Sequence, residues 1–459
     1  MPTLATFPAR TSSFRASYLP VSIARQLDVL RAEEPMSRLE LSAVITSRFL
    51  DLLVAIPGVA LLALVFVALG GLRFQGRWRL GKDSRTFPEW SWANSKGVRG
   101  RILRRLHLTQ LPQMWNLLAG QISLVGPRLN RSPSTPVEKR TFRECRRIAP
   151  GLLSLYTVRQ LANIHFVDEV ETELEFVKSY SATSVLGVLA RYLVVRIYGT
   201  VKQTANKEVH FLGIRIDNLL MSEAVDWISN RIRANSASTA QVSFVNAHCA
   251  NIAGKDQEYR RVLDSSDLVL ADGIGMKVAG TLLNRPIAQN VNGTDMLPSL
   301  CSEAGRLNGS IYLLGGEPGV AARVASWISK NYPAVRIAGA RSGFFPESES
   351  DSEVAAIRAA KPDLLLVAMG VPRQEQWIAQ HLEACGARVA IGVGGLFDFY
   401  SERIPRAPQW LREIGLEWTY RLYQEPGRMW QRYLVGNFVF IYRIVLEKFH
   451  ALPSLQEMS

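Results

Sequence analysis

Asp272 is the acidic side chain best placed for chemistry in this sequence. It closes an apolar run, Leu268, Val269 and Leu270, that is too short for a helix and suits a buried parallel strand. Gly273 follows and lets the backbone turn tightly. Ligands of open α/β sheets lie outside the carboxyl ends of the strands, and a carboxylate there can take a proton from a sugar hydroxyl. The local pattern fits equally an Asp that caps a helix starting near Gly273. Asn246 closes a second apolar run. Gly315-Gly316-Glu317-Pro318-Gly319 follows Leu314 and opens a helix, so its amides could hold a phosphate. It is neither a Walker A loop nor a dinucleotide fingerprint, and alone it reads as a tight turn. Gln374 and Glu375 could hydrogen-bond sugar hydroxyls or face water on a first helical turn. Gly394, within Gly392-Val-Gly-Gly, permits close approach of a ligand.

Towards the carboxyl end, arginines and aromatics interleave from Arg406 to Arg443, among them Arg421, Arg428, Trp430 and Arg432. Arginine binds phosphate through paired hydrogen bonds, and Trp and Tyr favour the lipid headgroup zone. The same mixture suits nucleic acid, but no recognition motif accompanies it, so no nucleic-acid partner is expected. A helical surface packed on a sheet accounts for part of it. The net charge of +14 calls for an anionic partner. Cys145, Cys249, Cys301 and Cys385 lie far apart, without metal-ligand spacing, and read as thiols of a reducing compartment. No Asp-x-Asp occurs, so neither a metal site nor a metal-bridged donor is expected.

The elements that must position these residues follow from periodicity. From His210, short apolar runs (242–245, 268–270, 311–314, 335–338, 364–369, 389–393) alternate with helical stretches (251–263, 294–306, 320–331, 352–360, 374–383). Alternation of this kind predicts an α/β fold, a Rossmann-like parallel sheet with helices on both faces, over residues 210–405. Residues 406–459 form a basic aromatic appendage, 201–209 a polar linker, and 1–40 a mobile tail without the apolar core of a signal peptide. Residues 41–200 read as a mostly helical, membrane-associated domain. Within it, Leu52 to Leu69 carries no charge and is long enough for about one bilayer crossing. Pro57 interrupts it, and basic residues flank both ends (Arg48; Arg73, Arg77, Arg79, Lys82). A re-entrant helix–break–helix hairpin satisfies both features; a simple signal anchor fits the hydropathy nearly as well.

Two resemblances emerge. Ser-Arg-Phe-Leu-Asp (47–51), Gly-Arg-Ile-Leu-Arg-Arg (100–105), Leu-Pro-Gln-Met-Trp-Asn (111–116) and Ser-Leu-Val-Gly-Pro-Arg (123–128) resemble the bacterial sugar transferases, monotopic enzymes that move a sugar phosphate from a UDP-sugar to polyprenyl phosphate. That family has an Asp-Glu pair, the nucleophile and its helper, directly before Leu-Pro-Gln. Here those positions are Thr109 and Gln110. The resemblance therefore implies a degenerate domain that serves as a membrane platform. The opposite reading, a bifunctional enzyme, requires Mg in this half.

Asn246, Ala-Asp-Gly (271–273), Gly-Thr-Asp (293–295), Leu-Leu-Gly-Gly-Glu-Pro-Gly (313–319), Pro-Arg-Gln-Glu (372–375), Gly-Val-Gly-Gly-Leu-Phe-Asp (392–398), Arg-Ala-Pro (406–408), Leu-Glu-Trp-Thr-Tyr-Arg-Leu (416–422) and Glu-Pro-Gly-Arg (425–428) resemble the WecG/TagA/CpsF glycosyltransferases. The resemblance implies inverting transfer from a UDP-sugar to a polyprenyl-diphosphate-linked saccharide, for a cell-surface polysaccharide. The setting it implies is the cytoplasmic face of a bacterial inner membrane, in contact with its lipids. No cofactor is implied for this half, and a homo-oligomer is left open. Asp272 becomes the general base. Asn246 and Gln374 become site residues, and the tail arginines steady the diphosphate. Phe244 and Asn290 stand where the family often has Thr and Arg. The rival from another class is a non-catalytic nucleotide-sugar sensor.

Overall fold

The computed structural model describes residues 38–68, 73–93, 98–105, 108–128, 136–162, 169–198, 206–234 and 239–450. The expected tail (1–40) and linker (201–209) fall mainly outside them. Of the linker, Glu208 and Val209 already belong to a strand.

The amino-terminal half begins with helix α1, Arg38–Ala68. The break expected at Pro57 does not occur. One continuous helix holds the residues on both sides of that proline. The helix meets the domain along one stripe, Ala43, Ser47, Asp51, Ala55 and Leu62. This near-fourfold spacing carries contacts past the one missing amide hydrogen bond. Its other faces leave Phe49, Leu53, Ile56, Leu64 and Val67 exposed. It is the one helix among the described residues long and apolar enough to cross a membrane.

Two of the quoted motifs meet along the stripe. Asp51 Oδ1 accepts from Ser123 Oγ at 3.0 Å and from the Leu124 amide at 2.6 Å, and the Ser47 and Ser123 hydroxyls lie 2.7 Å apart. Arg48 donates to the Leu117 and Leu118 carbonyls at 2.8 and 2.6 Å, satisfying the end of the helix Gln113–Leu118. An antiparallel hairpin, β1 (Phe74–Leu80) with β2 (Thr86–Trp92), and a short parallel pair, β3 (Ser123–Val125) with β4 (Gly151–Leu153), complete this half with further helices. The helices Leu155–Ala162, Glu169–Lys178 and Ala182–Tyr198 lead out of it.

The carboxyl-terminal half opens on a hairpin that the alternation did not announce, β5 (Glu208–Phe211) and β6 (Ile214–Asp217). Next come the helix Met221–Arg233 and the strands β7 (Ala240–Val245), β8 (Leu268–Ala271), β9 (Ser310–Gly315), β10 (Arg336–Arg341), β11 (Leu364–Ala368) and β12 (Val389–Gly392). These six make one all-parallel sheet in the order β10-β9-β11-β12-β7-β8. Nearly every residue of β7, β8, β9, β11 and β12 is buried, as helices on both faces require. One helical stretch differs from expectation. Residues 251–263 divide into the ends of two helices, Ala247–Ala253 and Gln257–Ser265, because Asp256 caps the second through its carboxylate on the Tyr259 amide. β9 and β11 are neighbours whose onward connections leave in opposite directions along the sheet. Ligands of such sheets bind where strand order reverses in this way.

Candidate active site

Asp272 follows β8 directly, and its amide donates to the Val245 carbonyl at 2.9 Å, beside the end of β7. Its carboxylate Oδ2 accepts from Asn246 Nδ2 at 3.2 Å. Asn246 itself caps the helix Ala247–Ala253, its Oδ1 accepting from the His248 and Cys249 amides at 3.0 and 3.1 Å. One asparagine therefore starts a helix and orients the carboxylate of the neighbouring strand. The capping alternative for Asp272 does not hold. The N-cap of the helix Ile274–Leu282 is Gly273, and the Asp272 carboxylate bonds to Asn246 rather than to the amides of that helix. Gly273 sits at φ +84°, a left-handed conformation that glycine adopts without strain, with open space where a Cβ would project. Its amide donates to Asn290 Oδ1 at 2.6 Å. Asn290, a departure from the resembled pattern, thus braces the turn behind Asp272.

A cavity of about 1170 Å³ opens outside the carboxyl ends of the strands. It runs from Asp272 and Asn246 past Gln374 and Gly394 to Gly316 near the β9/β11 crevice. Arg406, Arg421, Arg428 and Arg432 contribute to its wall. The structure so gathers nine of the expected site residues around one space. Two stay out of it. Gly315 sits at φ +143° with the place of a Cβ only 2.4 Å from the Ala368 carbonyl oxygen, so it serves the close packing of β9 on β11. Glu375 is fully buried and does not line the cavity. Its Oε1 accepts from Gln374 Nε2 at 2.7 Å. Burial pushes its carboxyl up to about 8, with the Gln374 bond opposing. Gln374 is braced in turn: its Oε1 accepts the Gly370 and Gly394 amides at 3.2 and 3.0 Å. Neither side chain faces water. Gln374 ties together two glycine turns, and its oxygen is already occupied twice.

Charge pairing sorts the arginines. Arg406 pairs with Asp295, whose other oxygen accepts from Asn292, and lies 3.6 Å from Glu417. Arg403, which sequence reasoning passed over, meets Glu317 at 2.5 Å and Asp398 at 3.1 Å. Arg428 is exposed and reaches Glu425 at 3.3 Å. Arg421 and Arg432 have no acidic partner among the described residues, and the Nε of each is buried without a hydrogen-bond partner. Arg421 lies over the Phe399 ring at 5.1 Å and Arg432 over Tyr433 at 5.5 Å. Two half-buried guanidinium groups without an ion-pair partner among the described residues face one cavity, and groups of this kind can meet an anion. Burial raises the Asp272 carboxyl above its usual value. The Asn246 bond, Arg432 and Arg421 oppose that rise, and Asp295 adds to it. Next to Asn246, His248 is pushed down to about 4, by burial first and Arg432 second, and is neutral at physiological pH. Its position in a helix's first turn gave no periodic signal. Asp295 and Glu417 could be singled out only once their partners were known.

In the other half, Thr109 and Gln110 are exposed on the turn before Pro112. A hydroxyl and an amide there are poor ligands for Mg, which prefers anionic oxygens. These two positions do not fit that ion. Among the described residues no three or more His, Cys, Asp or Glu side chains gather in metal-ligand geometry.

A carboxylate and arginines gathered at the carboxyl rim of a parallel sheet lie where sheets of this class bind their ligands. Residues 209–453 match the glycosyl transferase WecG/TagA/CpsF family, and residues 42–198 match the bacterial sugar transferase family. The chain belongs to the WecG/TagA/CpsF family and is a glycosyltransferase. Similar proteins bear the name N-acetylglucosaminyldiphosphoundecaprenol N-acetyl-beta-D-mannosaminyltransferase. The one from Bacillus subtilis is 37% identical over 42% of this chain and 75% of its own length. The one from Bacillus spizizenii is 32% identical over 40% and 70%. The one from Staphylococcus aureus MRSA252 is 29% identical over 54% and 97%.

Proposed function

We propose that the carboxyl-terminal half transfers a sugar, with inversion, from a UDP-sugar to a saccharide carried on a polyprenyl diphosphate, at the cytoplasmic face of the bacterial inner membrane. The product enters a cell-surface polysaccharide. The relatives' names supply the acceptor class, an N-acetylglucosaminyl diphosphoundecaprenol in their case. The observation that carries the reading is the coexistence, in one cavity, of the Asp272 carboxylate with the unpaired Arg421 and Arg432. In the reaction, Asp272 takes the proton of the acceptor hydroxyl while that oxygen bonds to the anomeric carbon. The bond from that carbon to the phosphate oxygen breaks, and UDP leaves with its electron pair. Guanidinium groups aimed at the forming charge stabilise the leaving diphosphate. Because they supply positive charge, the step is proposed to need no metal or other cofactor. Asn246 orients the base, and Gln374 fixes the glycine turns that shape the pocket.

The amino-terminal half is proposed to hold the enzyme at the bilayer, through the exposed faces of α1, and to lack sugar-phosphate transfer because of Thr109 and Gln110. The test is a panel of UDP-sugars with synthetic polyprenyl-diphosphate saccharides, read as released UDP in EDTA. Acceptor-dependent UDP is expected. UDP-sugar binding without turnover on any acceptor would favour a sensor. Magnesium-dependent UMP release on polyprenyl phosphate would restore the bifunctional enzyme.

A further inference from the structure

Among the described residues, an ion pair with both partners buried joins the two halves. Arg159, on the helix Leu155–Ala162, is 1% exposed, as is Glu413, at the end of the helix Gln409–Glu413. Arg159 Nε donates to Glu413 Oε1 at 2.7 Å, and Arg191, on the helix Ala182–Tyr198, donates to Oε2 at 2.8 Å. The rest of the Arg159 guanidinium meets Thr172 and Glu175 at 3.2 and 3.1 Å. Two arginines on both oxygens of one buried carboxylate fix its helix in rotation as well as in place. Packing of apolar residues would hold the halves together without that directional constraint.

Glu413 stands between Arg406 and Arg421 and itself lines the cavity. Leu411, Ile414 and Leu416, on either side of it, pack in one apolar cluster with Val158, Leu161 and Val278. Gly415, at φ +72°, lies so near Ile274 that a Cβ would stand 2.7 Å from its Cδ1. Ile274 opens the helix that follows Asp272 and Gly273, and Lys277 of that helix donates to the Ala162 carbonyl. The amino-terminal half therefore touches both the segment that carries the anion-binding arginines and the helix behind the base.

We propose that Arg159 and Arg191 are positioning residues for glycosyl transfer: through Glu413 they hold residues 406–432 at the mouth of the catalytic cavity, so the sugar-transferase-like half acts as a scaffold for the wall that meets the leaving diphosphate. This rests on the reading of the function given above. In the full chain, Glu413→Gln is expected to lower kcat/KM for the UDP-sugar about ten-fold or more while the acceptor KM stays within about two-fold. Arg191→Gln, at the edge of the contact where Arg191 is 22% exposed, should shift the same ratio less, and Arg191→Lys should recover most of it. Trypsin should cut after Arg412 and Arg421 faster in both Gln variants than in the wild type. Should Glu413→Gln not fold, Arg191→Gln decides. Wild-type kcat/KM for the UDP-sugar in the Gln variants, or an acceptor KM raised as much as that ratio falls, would overturn the proposal. A wild type inactive on every donor–acceptor pair would sink the functional reading instead. The trypsin pattern alone then judges the coupling, with equal cleavage in wild type and variants overturning it.

Discussion

Asp272→Asn tests the chemistry with little disturbance of the structure. Among the described residues, the side-chain bond to Asp272 comes from Asn246 Nδ2 at 3.2 Å, and an Asn Oδ1 can accept it. The bond from the residue's amide to the Val245 carbonyl is unaffected. What disappears is the charge. A positioned general base contributes about 10²–10⁴ in rate, which is about 3–5 kcal/mol of barrier. Stability should move the other way. Burial raises the Asp272 carboxyl in the folded state. Its contribution to stability is therefore fully present below the unfolded value of about 3.9 and is lost as pH rises through the raised folded value. At pH 7 to 8 the wild type bears that desolvation penalty and the Asn variant does not, so the variant should melt at or above the wild type. The wild-type rate should rise with pH across the interval where stability declines. The assay is UDP release under saturating donor and acceptor, with thermal melts of the same samples. A variant within about five-fold of wild-type turnover would refute Asp272 as the base, because so small a loss is far below a base's contribution.

Arg421→Ala and Arg432→Ala should each lower kcat/KM about ten-fold or more, because each removes a cavity-lining cation that has no ion-pair partner among the described residues. Arg428→Ala, exposed and already paired with Glu425, should cost less, and the reverse ranking in steady-state kinetics would refute the charge accounting. Glu375→Gln should flatten the pH dependence of the melting temperature. With the carboxyl raised to about 8, wild-type stability is lost between the ordinary carboxylate range and about pH 8, and the amide keeps the Gln374 bond without titrating. Leu53→Arg with Leu64→Arg, both on the exposed face of α1, should move protein from the membrane pellet to the supernatant, since each charge opposes insertion by about 2.5 kcal/mol or more. Unchanged fractionation would remove α1 as the membrane contact.

The strands and most helices of the carboxyl-terminal half were legible because buried parallel strands read as continuous apolar runs between helical stretches. Val242–Val245 and Val320–Asn331 lie where periodicity puts them. Asp272, Asn246 and Gly316 were legible for a related reason: each stands at the end of such a strand. The β5–β6 hairpin was not, because its turn places Leu212 at φ +52° beside Gly213, and leucine gives no turn signal. The break assigned to Pro57 failed because tertiary contacts on both sides of that residue outweigh a single lost hydrogen bond. The roles of Gln374, Glu375 and Arg406 depend on partners brought together only by folding, such as Gly394 and Asp295. Glu413 meets Arg159 across 254 residues, a separation no local pattern can report.

The strand that carries Asp272 is the last in its sheet, so one side of β8 would be bare but for what precedes it in the chain. The hairpin covers that side: Asp217 accepts the Val269 amide at 2.7 Å, and Arg215 donates to the Ser266 carbonyl at 2.5 Å. An uncovered edge offers its amides to any passing strand and invites aggregation. Starting the chain at residue 218 would therefore leave that edge bare and open to self-association. A workable shortened version must begin before Glu208.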